Sequence, residues 1–332
     1  MAATPGGERT LLKNILPLEM PLLLQIFPVY GCNFKCEFCI HGIEREKHGY
    51  ISDKIVMDME LYRKIIDDIE ATGKKVKMLR FAAIGEPLLH QNIAEMIRLA
   101  KQADVAESVD IVTNGSLLTK ELSDALISAG LSRLRISVEG LNDEDYVKRC
   151  QCKINYAQFV DNIAYFYKHK GDTQIYIKII DYMVQEEEER KRFFNTFGPI
   201  CDSIAVEHLT PTIEEIDYDA VSNGMDLDKS QNGECLLNAR VCPQGFYMMQ
   251  INPDGNVVPC CSMKYPAVLG NVYEETVQQI WMGVRFNDFR RKLLISRAQA
   301  GSVCEQCLLY QYDLHKEDIL DDAADRLMEK YK

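Results

Sequence analysis

Cys32-Asn33-Phe34-Lys35-Cys36-Glu37-Phe38-Cys39 sets three cysteines at C-x₃-C-x₂-C spacing directly behind the apolar run 22–27. Three thiolates on one loop suit a four-iron cube, since each holds one iron while the fourth iron stays open for an outside ligand. Structural zinc is the alternative. It takes four protein ligands, and the loop adds only His41, two residues past Cys39. The chain holds 12 cysteines, and residues 1–10 lack the charged-then-apolar order of a secretory signal. It therefore reads as cytoplasmic, where thiols stay reduced and clustered cysteines imply metal or catalysis.

Outward from the loop, residues 22–208 alternate short apolar runs with amphipathic stretches, the pattern of βα units. Six runs read as strands buried on both faces: 22–27, 78–83, 109–112, 134–138, 175–180 and 204–206. Helical spacing of apolar residues fills 59–69, 93–103, 122–129, 156–167 and 187–197. The run Glu186 to Glu189 reads as a solvated helix start. Six right-handed βα units make an α/β fold of partial (β/α)₆, TIM-like form. Its reactive end is the C-terminal ends of the strands, where the cysteine loop and Gly85-Glu86-Pro87 both fall.

The expected organisation is an N-terminal extension over 1–20, the barrel over 21–209, an acidic linker over 210–234 and a small C-terminal domain over 235–332. In the last, 246–251 and 256–258 flank Pro253-Asp254-Gly255 as a hairpin, and 286–295 and 318–331 read as helices. This region gathers Cys242, Cys260, Cys261, Cys304 and Cys307, with Cys235 nearby. Cys150, Cys152 and Cys201 read as ordinary buried thiols. The 50 acidic against 38 basic residues give a net charge of −12, which argues against nucleic acid or an anionic membrane as partner. No apolar run reaches the roughly 20 residues of a membrane span.

The cysteine loop resembles the signature of radical S-adenosylmethionine (SAM) enzymes. That resemblance covers most of the chain and implies a partial (β/α)₆ barrel with a [4Fe–4S] cluster on Cys32, Cys36 and Cys39. The open iron of such enzymes chelates SAM. One electron cleaves SAM to methionine and a 5′-deoxyadenosyl radical, which removes a hydrogen atom from substrate. Carried over by position, Phe38 lies near the adenine, and Gly85, Glu86 and Pro87 belong to the motif holding the SAM amino group. Gly85 allows close backbone approach, and the Glu86 carboxylate is able to accept from an ammonium. Thr113, Asn114 and Ser137 fall at positions that contact the SAM ribose or carboxylate, although Asn114-Gly115 also reads as a plain strand-end turn and Ser137 as a satisfied hydroxyl.

The C-terminal cysteines resemble the SPASM auxiliary-cluster domain, or its shortened Twitch form. Asn252-Pro253-Asp254-Gly255, Leu269-Gly270-Asn271 and Ile280-Trp281 fit its surroundings. The resemblance assigns Cys242, Cys260, Cys304 and Cys307 to one auxiliary [4Fe–4S] cluster, with a zinc ribbon as the alternative. No cysteine follows Cys307 to build a second auxiliary cluster. Cys261 is then a free thiol, an alternate ligand or a hydrogen-atom donor.

Two outcomes are open for a substrate radical: loss of an electron and a proton, a dehydrogenation, or return of a hydrogen atom from a thiol, an epimerisation. Size and the single auxiliary cluster resemble the enzymes that act on sugars and aminocyclitols, with flavodoxin or ferredoxin as electron donor. Peptide-modifying relatives usually carry a leader-binding module larger than the 31 residues ahead of Cys32. Peptide or protein modification is the second enzyme reading, and a non-catalytic iron–sulfur electron carrier is the third. Candidate polar contacts to substrate are His41, Glu139, Asp143, Arg149, Glu207 and His208.

Overall fold

The computed structural model describes residues 9–332. Residues 1–8 of the expected N-terminal extension lie outside it. Six parallel strands run in sequential order: β1 (Leu23–Ile26), β2 (Val76–Phe81), β3 (Ala106–Thr113), β4 (Arg133–Val138), β5 (Gln174–Ile180) and β6 (Ser203–Glu207). Each of the six apolar runs expected from sequence overlaps one of them. A parallel neighbour needs a crossover, and helices supply it. The helix Met59–Glu70 shows the local logic. Asp58 accepts from Leu61 N at 2.7 Å as N-cap, a bond worth about 1 kcal/mol. Leu61, Tyr62, Ile65, Ile66 and Ile69 then form one buried stripe.

The strands are not apolar on both faces. Leu79 and Phe81, Val109 and Ile111, Leu134 and Ile136, and Ile175 and Ile177 are sealed, and Phe81 meets Tyr62 on the covering helix with ring centroids 5.9 Å apart. The alternate positions carry Gln25, Arg80, Asp110, Arg133, Arg135, Tyr176 and Lys178. They form a polar lumen inside the curved sheet. Reading the runs as doubly buried passed over this alternation, because Leu, Ile and Val dominate each run while single Arg, Asp and Lys residues punctuate it.

The C-terminal region joins this sheet directly. β7 (Met248–Ile251) pairs in parallel with β1, and β8 (Asn256–Val258) and β9 (Gly270–Asn271) extend it antiparallel, giving nine strands in the order β6-β5-β4-β3-β2-β1-β7-β8-β9. Gln25 Nε2 donates to Gln250 Oε1 at 2.6 Å across the β1–β7 seam. The hairpin turn forms where expected: Gly255 sits at φ +82 and Asn252 N donates to Asn256 O at 2.9 Å. Strand does not begin at 246, however, because Gln244–Tyr247 is a helical turn. The expected helix over 318–331 is broken into turns at Lys316–Asp318 and Asp321–Ala323 before Ala324–Lys330. Asp321 accounts for the break, since its carboxylate accepts from Arg240 N and Val241 N at 2.9 and 3.0 Å.

The helix Asp143–Cys150 was not expected. Its N-cap Asn142 and three acidic residues in the first turn are the signal that was there to find. Residues 210–234 carry a short helix, Tyr218–Ser222, and fold back on the barrel: Gln231 contacts Glu207 and Tyr218 donates to the carbonyl of Phe38 at 3.2 Å. Among the described residues no helix is long and apolar enough to cross a membrane.

Candidate active site

Two neighbours shape the cysteine loop after β1. The end of the helix Asp143–Cys150 offers carbonyls: Lys35 N donates to Cys150 O at 2.8 Å and Glu37 N to Arg149 O at 2.9 Å. The loop closes where a Cβ on Gly42 would lie 2.4 Å from Cys36 O, so the position admits only glycine. Cys32 Sγ accepts from Phe34 N at 3.4 Å and Asn114 Nδ2 at 3.8 Å. Cys36 Sγ lies 3.6 Å from Cys150 Sγ, which is more than the ordinary buried thiol expected of Cys150. Burial pushes Cys32 up to about 12 and Cys39 to about 11; the Cys150 contact, with burial, raises Cys36 as well.

The loop after β2 braces this one. A Cβ on Gly85 would stand 1.9 Å from Val29 O and 2.9 Å from Gly31 O, and Glu86 N donates to Gly31 O at 2.8 Å. Ala83 is held at φ +103, a conformation costing on the order of 1–3 kcal/mol for a non-glycine residue. The Glu86 carboxylate, expected as partner of the SAM ammonium, is occupied by its own fold. It is 2% exposed and accepts from Leu88 N at 2.9 Å, Thr113 Oγ1 at 2.6 Å and Asn114 N at 2.8 Å. Burial raises its proton affinity while these donors oppose the rise. Glu86 and Thr113 therefore position the β2 and β3 ends, and Pro87 opens the short turn Pro87–Leu89. Asn114 is placed beside Cys32 and Asn33, with Asn33 Oδ1 at 3.0 Å. Ser137 lies on the lumen face of β4, in register with Lys178.

Phe38 packs edge-on to Tyr182 at 6.2 Å, and Arg149 lies 5.4 Å from the same ring. Glu139 follows β4 and is buried, which pushes it up to about 7 against the opposing influence of Lys178 and Arg149. Glu139 Oε2, Arg149 Nη1 and the Tyr182 hydroxyl are all buried without a hydrogen-bond partner. Glu207 is engaged by Lys178 at 2.6 Å, Tyr176 at 2.7 Å and Gln231 at 2.5 Å. His208 Nδ1 meets Asp181 at 2.6 Å, leaving Nε2 free. His41 packs against Tyr30 and His48. Asp143 is a correction: it is exposed at the first turn of its helix and accepts from Tyr156 N at 2.7 Å, away from the lumen. Tyr182 and Lys178 join the site without having been singled out, and Cys150 joins it from among the thiols read as ordinary.

In the C-terminal region Cys242, Cys260, Cys304 and Cys307 line one small cavity with Gln244, Arg297 and Tyr310. Arg297 stacks 4.0 Å from the Tyr310 ring centroid and donates to Cys307 O at 3.2 Å. Burial pushes Cys242 and Cys304 to about 12. Cys261 is absent from this lining. Its thiol, pushed to about 12 by burial and by Asp313, is opposed by Arg80, a residue of the barrel lumen. Cys235 is exposed.

Both donor sets fit iron–sulfur clusters. The four C-terminal thiols line one cavity together, which is the number of protein ligands a closed four-iron cube takes. Three thiols with N–H donors beside one sulfur suit a cube with an open iron. Comparison with known proteins agrees. A sequence model of the radical SAM superfamily matches residues 26–195, and one of an iron–sulfur cluster-binding domain, SPASM, matches 242–308. The tungsten-containing aldehyde ferredoxin oxidoreductase cofactor-modifying protein of Pyrococcus furiosus is 26% identical over 321 residues, covering 84% of this chain and 85% of its own. The crystal structure of Streptococcus suis SuiB bound to S-adenosylmethionine superposes with a TM-score of 0.62 at 15% identity, over 94% of this chain and 79% of that one. BtrN in complex with AdoMet and 2-DOIA gives 0.55 at 16%, over 89% and 98%.

Proposed function

The chain belongs to the radical SAM superfamily, and from that premise we propose that it is an oxidoreductase or epimerase acting at a C–H bond of a carbohydrate-like or aminocyclitol substrate. In this reading Cys32, Cys36 and Cys39 hold the SAM-binding [4Fe–4S] cluster, and Cys242, Cys260, Cys304 and Cys307 hold one auxiliary [4Fe–4S] cluster. Bound SAM and its cluster supply a 5′-deoxyadenosyl radical that takes a hydrogen atom from the substrate, with flavodoxin or ferredoxin delivering the electron. The domain division follows the same lines, with 21–209 as barrel and 235–332 as auxiliary-cluster domain.

The chain's own residues do the rest. In this reading Phe38 within the cysteine loop, Asn114 beside it and Ser137 on β4 orient SAM, while Gly85 lets the second loop close on the first. Glu139, Arg149 and Tyr182 present unpartnered polar atoms that are free to bond substrate hydroxyls or amines. Glu139 is placed to accept a proton if the substrate radical is oxidised. In this reading Cys261 returns a hydrogen atom if it is epimerised, and the thiyl radical left behind is restored to a thiol by one electron from the same donor and a proton from solvent.

One observation carries the choice: Cys261 is not among the residues lining the four-thiol cavity, and its thiol feels the charge of Arg80 on the lumen face. This favours thiol donation over alternate ligation. A relative whose name describes modification of a cofactor sides with a small-molecule substrate over a peptide. The test is anaerobic turnover of Cys261→Ala in D₂O. Retained 5′-deoxyadenosine formation with loss of epimerised, deuterium-labelled product is expected. Full activity with a product two mass units lighter than substrate, an order set by removal of two hydrogens, moves the reading to dehydrogenation.

A further inference from the structure

The lumen floor carries charge that the chemistry above leaves unused. Register sets Arg80 on β2 beside Asp110 on β3, and Asp110 beside Arg133 on β4; Arg135 follows two residues on, on the same face. The Asp110 carboxylate stands 3.8 Å from Arg80, 3.6 Å from Arg133 and 3.6 Å from Arg135. All three distances exceed a hydrogen bond. Asp110 accepts instead from Ser108 through its other oxygen. The Nε atoms of all three arginines and Asp110 Oδ2 are buried without a hydrogen-bond partner.

One carboxylate cannot balance three guanidinium groups, and the neighbours add little. Lys178 and Glu207 neutralise each other at 2.6 Å. Tyr176 donates to Glu207 and lends Arg135 a ring face at 5.7 Å. Asp313 acts on Arg80 from further off, shared with Arg9 and His315. Packing like charges in a low-dielectric pocket is unfavourable unless something pairs them. A barrel needing only a closed floor would use Leu or Val there. The groups remain reachable: Asp110 is sealed, yet 20% of the Arg80, 21% of the Arg133 and 20% of the Arg135 side chain is exposed. A cleft of about 550 Å³ at the N-terminal strand ends reaches Ser108 and Arg133.

We propose that Arg80, Arg133 and Arg135 form the seat for a phosphate group of the substrate, so that the molecule worked on is a phosphorylated sugar or aminocyclitol. This rests on the lumen being the reaction chamber. Planar guanidinium forks match phosphate oxygens in geometry and charge, and a phosphate monoester brings close to the two negative charges that the trio lacks. Arg135 lies two residues below Ser137 on the same face of β4, a rise of about 7 Å. A phosphate seated on the arginines thus leaves a sugar ring directed toward the SAM end of the lumen.

The test needs no turnover. Iron-replete protein is titrated calorimetrically with inorganic phosphate and with pyrophosphate at constant ionic strength. Saturable binding at one site is expected, weakened about 10- to 100-fold in Arg80→Gln and Arg135→Gln, the worth of a charge-assisted hydrogen bond or two. Arg63→Gln, on the outer helix Met59–Glu70, should bind as the parent does. In phosphate-free buffer Arg135→Gln should melt no lower than the parent, because like-charge repulsion is relieved, and added phosphate should raise the melting temperature of the parent alone. Pyrophosphate binding at least 10-fold tighter than phosphate assigns the seat to a sugar nucleotide, and comparable binding assigns it to a monoester. Failure of the iron-replete parent to bind either ion overturns the proposal, as does a lower-melting Arg135→Gln that binds phosphate undiminished. Phosphate binding together with inert sugar phosphates would instead overturn the reaction proposed above and leave the seat standing.

Discussion

Gly85→Ala is the substitution that probes most sharply how two loops become one site. The added Cβ would lie 1.9 Å from Val29 O, 3.1 Å from Val29 C and 2.9 Å from Gly31 O, all backbone atoms that cannot rotate aside. Contact distance for a methyl group is about 3.5 Å, so the segment after β1 must retreat by more than 1 Å. That movement breaks the Glu86 N to Gly31 O bond and shifts the chain just ahead of Cys32. Overpacking of this kind costs about 1–3 kcal/mol, and the lost buried bond about 1–3 more, for a total of roughly 2–6 kcal/mol. Gly73 is the control, since a Cβ there meets nothing within 4 Å at φ +65, and its alanine variant should lose only about 1 kcal/mol. Denaturant unfolding of both, with iron counted per chain, reads the difference. Gly85→Ala should unfold earlier and lose the N-terminal cluster while keeping the C-terminal one. A variant with parental stability and iron would refute the account of these loops.

Glu86→Gln tests whether that carboxylate serves the fold or the ligand. It turns one carboxylate oxygen into an amide donor, set against Asn114 N or against Leu88 N and Thr113 Oγ1, and should cost about 2–3 kcal/mol in unfolding free energy; unchanged stability with weaker SAM binding would return Glu86 to the role of ammonium partner. Glu139→Gln should remove a pH dependence. The folded value of about 7 exceeds the ordinary value of 4.5, so burial favours the protonated form: the parent loses stability relative to the variant as pH rises from about 4.5 through 7. The loss should reach about 3 kcal/mol. Melting curves at pH 5.5 and 8 that shift equally for both proteins would contradict this.

How far the sequence carried the reading depended on the kind of signal. C-x₃-C-x₂-C is a local pattern, and the cysteine loop forms behind β1 as its spacing requires. The six strands were legible because buried β-branched runs are short and bounded by turn residues. What escaped was whatever depends on a second segment. Arg135 sits inside a run that reads as buried on both faces, and nothing local shows the charge it meets until β3 brings Asp110 alongside Arg133 and Arg135. Glu86 reads as a free carboxylate until Thr113 and Asn114 arrive from 27 and 28 residues away. The pairing of β7 with β1, across more than 200 residues, leaves no mark on either strand alone. Helix Asp143–Cys150 escaped for another reason: its interior has few apolar residues, and its N-cap carried the whole signal.

Iron counted per chain in anaerobically reconstituted protein tests the central claim most directly, alongside the same count in the Cys32/Cys36/Cys39→Ala triple variant. Two four-iron cubes predict roughly eight irons in the parent. The triple variant should keep about half of these and form no 5′-deoxyadenosine from SAM under dithionite. A parent near four irons, or zinc held at Cys242, Cys260, Cys304 and Cys307, would contradict the account.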